Sequence, residues 1–134
     1  MKSGRAGSAL IEFAGSVVII SALFTGVFQF SYALSNYQAL VDSVRAGARY
    51  ASLQPPSPEL TEAVRNVVVY GDPSPAPLAK PVVPDLSPEN VELIQEPGTV
   101  TVSVRAFELG AIFSKIKLDH RPTVTFPLTR KPSQ

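Results

Sequence analysis

FAGSVVIISALFTGVFQFSYAL, residues Phe13–Leu34, decides the architecture of this chain. Eleven of these residues are Phe, Val, Ile or Leu, and they lie in a run of 29 uncharged residues from Phe13 to Val41. A hydrocarbon core about 30 Å thick needs roughly 20 apolar helical residues, so the run is long enough to cross one. On the insertion scale the eleven are worth about −3 to −6 kcal/mol, which offsets the serines, the threonine and Gln29 among them. The reading is a single membrane-spanning helix.

Its ends set the orientation. Lys2 and Arg5 precede the span, with no acid among the first eleven residues, and the positive-inside preference puts that end in the cytoplasm. Arg45 and Arg49 oppose this, but they stand turns further along, beside Asp42. Everything from about Gln54 is then expected outside the cytoplasm. Residues 1–53 hold four bases and two acids, and residues 54–134 hold eight bases and nine acids. This near-neutral lobe has no cationic stripe for nucleic acid. Without cysteine, neither a disulfide nor a thiolate metal site can staple it, and a core of its size is marginal alone.

Helical character is predicted to continue past the span. Leu40, Val44 and Ala48 share one face, and Asp42 and Arg45 can pair at i, i+3. Pro55-Pro56 ends the helix, which therefore covers residues 8–53, roughly 70 Å at 1.5 Å per residue. Ser57-Pro58-Glu59 reads as an N-cap, a proline at the first helical position and an acid in the first turn. A short helix, Pro58–Val69, follows. Residues 72–88 carry six prolines and little that could pack, so an extended, polyproline-like connecting loop is expected.

The remainder reads as strands. Val91–Gln95 and Thr99–Ala106 flank a Pro97-Gly98 turn. Val100, Val102, Val104 and Ala106 fall on one face of the second strand and Thr101, Ser103 and Arg105 on the other. Leu109, Ile112, Phe113 and Ile116 switch to helical spacing, predicting a short helix or turn. Thr123–Leu128 alternates again, with Pro127 restricting it to an edge. The expected fold class is α+β: a long N-terminal helix, a short helix and a three-stranded antiparallel sheet.

Gly7-Ser8-Ala9-Leu10-Ile11-Glu12-Phe13 is the segment that bears on function. It follows a basic leader and places one acid where burial without a partner is expensive. If the chain were cut after Gly7, Glu12 would be the fifth mature residue, about one turn from the free amine of Ser8. In a bundle of staggered parallel copies, one carboxylate could meet the next copy's ammonium. A wrong stagger would leave a buried unpaired charge costing several kcal/mol, so Glu12 would set register. The alternative keeps Glu12 at headgroup level, favoured by the helix dipole.

This pattern resembles a known family. Gly-Ser-Ala-Leu-Ile-Glu-Phe-Ala, then the span, then Tyr37-Gln38-Ala39-Leu40 and Arg45-Ala46-Gly47-Ala48-Arg49-Tyr50-Ala51, is similar to the TadE-like pseudopilins. These are minor pilin-like subunits of the tight-adherence (type IVc, Flp) pilus machinery of bacteria. The resemblance covers about residues 4–53. It implies a leader of residues 1–7, cleavage by a prepilin peptidase between Gly7 and Ser8, and Glu12 as the glutamate the family requires. It also implies residence in the inner membrane with residues 54–134 on the periplasmic side, and pilin and pseudopilin partners. The Pro-rich stretch 72–88 is longer than the family leads one to expect.

Ser43, Gly47 and Ala51 form a small-residue row at i, i+4, i+8, as Ala22 and Gly26 do within the span. Such rows let helices approach closely, here against the lobe or a neighbour. Arg45 and Arg49 could meet lipid phosphates, pair with acids or remain solvated. No cofactor, metal or small-molecule substrate is expected, and an enzyme is not. His120, the only histidine, has no nucleophile or ligand cluster around it in sequence. Two rivals remain: a secreted domain behind a cleaved signal peptide, and a single-pass envelope scaffold or receptor stalk outside any pilus.

Overall fold

Ser3–Leu53 forms one unbroken helix, α1, in the computed structural model, which describes residues 3–110 and 115–128. The first proline is Pro55, so no missing backbone donor interrupts the ladder. The helix thus includes the residues just before the predicted start at Ser8. Its two halves differ in surroundings. From Gly7 to Tyr32 every side chain except that of Gln29 is exposed, Phe13, Ile20, Phe24 and Phe30 among them. A helix apolar all round suits a hydrocarbon or protein interior rather than water. This one is long and apolar enough to cross a membrane. From Ala33 onward one face is covered, with Leu40, Val44, Ala48 and Ala51 buried at helical spacing.

The cover comes first from α2, Pro58–Tyr70. Ser57 caps it as predicted, its Oγ accepting the Leu60 N–H at 3.1 Å. Gly71, at φ 78°, closes it by donating to the Val67 carbonyl at 2.9 Å, in the left-handed conformation that only glycine adopts freely. Leu60, Val64 and Val68 face the core.

The Pro-rich stretch departs from the expectation of a segment with little to pack. Val83 and Leu86 are buried in the main core. Between them Pro84 and Asp85 form a tight turn, the Leu86 N–H donating to the Val83 carbonyl at 3.2 Å. A backbone bond from Val82 N–H to the Val69 carbonyl, 2.7 Å, stitches the loop to the end of α2. Prolines here stiffen turns that push two aliphatic side chains inward.

Five strands follow among the described residues: β1 (Val91–Glu96), β2 (Thr99–Val104), β3 (Phe107–Gly110), β4 (Lys115–Leu118) and β5 (Thr123–Pro127). The expected three-stranded antiparallel sheet is present, in the order β1-β2-β5. Leu93 pairs with Val102, which pairs with Val124, and Val100 pairs with Phe126, so one face presents an apolar patch to α1 and α2. Outside, Thr101 and Thr125 share a hydroxyl hydrogen bond of 2.9 Å. Pro127 lies on an edge strand, where a missing donor costs no ladder bond. Ala106 does not extend β2: it sits at φ 49°, exposed, where the chain turns into β3.

The segment around Leu109 and Ile116, expected as a short helix or turn, is instead part of a second, two-stranded sheet of β3 and β4. Leu109 and Ile116 are direct cross-strand partners. Seven residues apart, they would also share a face after two helical turns, so spacing alone could not separate the two geometries. Along β3 the burial alternates, Phe107 and Leu109 in and Glu108 out. Ile112 and Phe113 lie outside the described residues.

Asn90 holds the start of β1 to the end of β2. Its Oδ1 accepts from the Ser87 N–H (3.2 Å) and hydroxyl (2.8 Å), and its Nδ2 donates to the Arg105 and Ala106 carbonyls, both at 3.2 Å. Asn90→Ala is expected to destabilise the lobe by about 2 kcal/mol, since several polar groups lose partners together. Urea unfolding followed by hydrogen exchange on β2 checks this; a loss below 0.5 kcal/mol, on the order of an ordinary surface substitution, would contradict it.

Candidate assembly surface and processing site

Gly7, Ser8 and Glu12 all lie on the uncovered half of α1. Ser8 and Glu12, four residues apart, share a face about 6 Å apart along the axis. A β-carbon built on Gly7 meets nothing within 4 Å, so the fold of the single chain places no demand on that glycine. Glu12 is exposed and in no ion pair among the described residues.

The surroundings of Glu12 make it conspicuous. The Ser16 hydroxyl donates to the Glu12 carbonyl at 2.9 Å, and Thr25 does the same to Ser21 at 2.8 Å. These two hydroxyls are thereby satisfied by their own helix. Between Arg5 and Asp42, Glu12 is the only charged residue. A carboxylate at the centre of a bilayer costs about 3 kcal/mol on insertion scales, less near its edge, unless a cation meets it.

The row Ser43, Gly47 and Ala51 faces the lobe. All three are buried, and Ser43 returns its hydroxyl to the Leu40 carbonyl at 2.9 Å. A β-carbon on Gly47 would run into Val68 Cγ2, with Val64 Cγ1 and the Val64 carbonyl oxygen at 3.6 Å. Glycine is what lets α2 lie so close. Gly26, in contrast, has nothing within 4 Å of such a carbon, and Ala22 is exposed.

Arg45 pairs with Asp42 at 3.1 Å, as the spacing predicts, with both side chains largely exposed. Such a pair is worth a few tenths of a kcal/mol. His120 is exposed near two carboxylates, 3.6 Å from Glu92 and 3.7 Å from Asp119. Among the described residues, no group of three His, Asp or Glu side chains is placed to hold a metal. Sequence reasoning missed Arg65, whose Nε donates to the Val91 carbonyl at 3.2 Å and joins α2 to the sheet. It also missed the Pro84-Asp85 turn, although a Pro-Asp pair is itself a turn signal.

Residues 7–49 match the family described as TadE-like protein. Over that segment the chain is similar to TadE-like proteins. The TadE-like match runs along α1 from Gly7 through Glu12 to Arg49, and it ends before α2 and the sheets. No curated protein and no solved structure is significantly similar to the chain. The resemblance therefore belongs to the helix, while the lobe is described by its own geometry.

Proposed function

We propose that this chain is a minor pilin-like subunit, a pseudopilin, of a tight-adherence (Flp, type IVc) pilus system. It supports pilus biogenesis or adhesion by a structural role rather than by catalysis. In this reading α1 spans the bacterial inner membrane with the lobe on the periplasmic side. A prepilin peptidase cuts between Gly7 and Ser8, and the mature helix joins other pilin and pseudopilin subunits, with Glu12 setting register against a neighbour's Ser8 ammonium. The observation that carries the reading is the TadE-like match over a helix almost bare from Gly7 to Tyr32, with a single carboxylate in it that has no ion pair among the described residues.

Intact-mass measurement of protein extracted from its native membrane tests the reading. Loss of residues 1–7 is the expected result. Retention of the full mass would support the plain membrane-anchored scaffold instead, and loss of 25 or more residues a secreted domain. Gly7→Ala is expected to slow processing at least tenfold, because a β-carbon there crowds a protease subsite. As nothing in the folded chain lies within 4 Å of that carbon, lobe stability should not change. Wild-type processing of Gly7→Ala would refute the assigned bond.

A further inference from the structure

The uncovered part of α1 ends at Tyr32, and at that level the lobe presents an open cleft of about 240 Å³. Tyr32 and Asn36 form one wall, the Pro84-Asp85 turn another, and Leu109-Gly110 at the end of β3 a third. The turn is firmly seated, because Val83 and Leu86 on either side of it are 1% and 3% exposed. Asp85 itself is exposed and holds φ 64°, a left-handed conformation that aspartate and asparagine adopt more readily than other side-chain-bearing residues. Among the described residues that line the cleft, Asp85 is the charged one.

Depth follows from helix length. Phe13–Tyr32 spans about 30 Å at 1.5 Å per residue, the thickness of a hydrocarbon core. If α1 crosses the membrane, Tyr32 comes to the interface, a depth where tyrosine is enriched, and the cleft faces the phosphate layer. Its volume falls below the roughly 300 Å³ of a typical small-ligand pocket, which suits a headgroup but not acyl chains.

We propose that this cleft seats the headgroup of a zwitterionic, primary-amine phospholipid from the leaflet on the lobe's side. Asp85 accepts from the ammonium. The Tyr32 hydroxyl and the Asn36 amide donate to the phosphate. A purely anionic headgroup would oppose Asp85. The proposal rests on the membrane-spanning reading of α1 and extends it: the lobe is not merely tethered but rests on lipid at a defined point.

The chain has no cysteine, so spin labels can be placed singly in the full-length protein at Ile20→Cys, Glu62→Cys and Pro84→Cys. In vesicles of phosphatidylethanolamine and phosphatidylglycerol, oxygen and nickel-chelate accessibilities should place position 20 in hydrocarbon, 62 in water and 84 at the headgroups. If 84 is as open to nickel as 62 while 20 stays in hydrocarbon, the cleft proposal fails and the span stands. If 20 is in water, both fail. Native mass spectrometry then reads the headgroup. Wild type should retain phosphatidylethanolamine, and Asp85→Asn should lower the retained fraction at least fivefold. Asparagine also tolerates the left-handed conformation, so the turn is preserved. Equal retention by the two proteins, or selection of phosphatidylglycerol, would overturn the assignment.

Discussion

Gly47→Leu is expected to unseat α2 from α1 and cost the lobe about 3 kcal/mol, at the upper end of overpacking effects. One carbon at this position already collides with Val68 Cγ2, and the leucine adds three more beyond it. Val68 cannot swing aside, because a β-branched side chain on a helix is nearly confined to one rotamer. The helices must therefore separate, and Val64 and Val68, both fully buried, lose contact with the face that carries Leu40 and Val44. Hydrogen exchange of α2 amides in detergent micelles reads the effect, and 3 kcal/mol corresponds to exchange faster by about a hundredfold. Gly26→Leu is the control, since nothing lies within 4 Å of its added carbon. Equal exchange in the two variants would show that close approach at Gly47 does not hold the lobe.

Glu12→Ala should leave insertion and the lobe intact yet reduce incorporation into the pilus apparatus at least tenfold, the equivalent of about 1.4 kcal/mol. Glu12 touches no part of the lobe and joins no ion pair among the described residues, so its loss removes nothing from the folded chain. Its proposed partner, the ammonium of a neighbour's Ser8, would be stranded in low dielectric, where an unpaired charge is costly. Quantified co-purification with the apparatus gives the measurement. Normal recovery of the variant would dispose of the register mechanism, whatever becomes of the membrane span.

Much of this was legible beforehand because its signals are local. The uncharged run from Phe13, the Ser57 cap with Pro58, and the alternation through Val100, Val102 and Val104 each follow from neighbours a few residues away. So does the Asp42–Arg45 pair. The β3–β4 hairpin was not, since seven-residue spacing between Leu109 and Ile116 fits a helix and a cross-strand pair alike. Nor were the buried Val83 and Leu86, which only tertiary contacts reveal inside a proline-rich run. At the candidate site, Gly47 stood in a row open to either the lobe or a neighbour, and long-range packing against Val68 places it against the lobe. The register role proposed for Glu12 involves a second molecule, so one chain's geometry does not bear on it.

The continuity of α1 from Ser3 to Leu53 has a geometric consequence. A rod with no hinge passes torsion along its length undiminished. Each residue advances 1.5 Å and turns 100°, so in the proposed assembly sliding Glu12 past a neighbour by one position while keeping the same contact would swing the lobe by more than a quarter circle. A vertical choice made at Glu12 would thereby be a choice of azimuth about 60 Å away, where the globular end must clear or meet the one beside it.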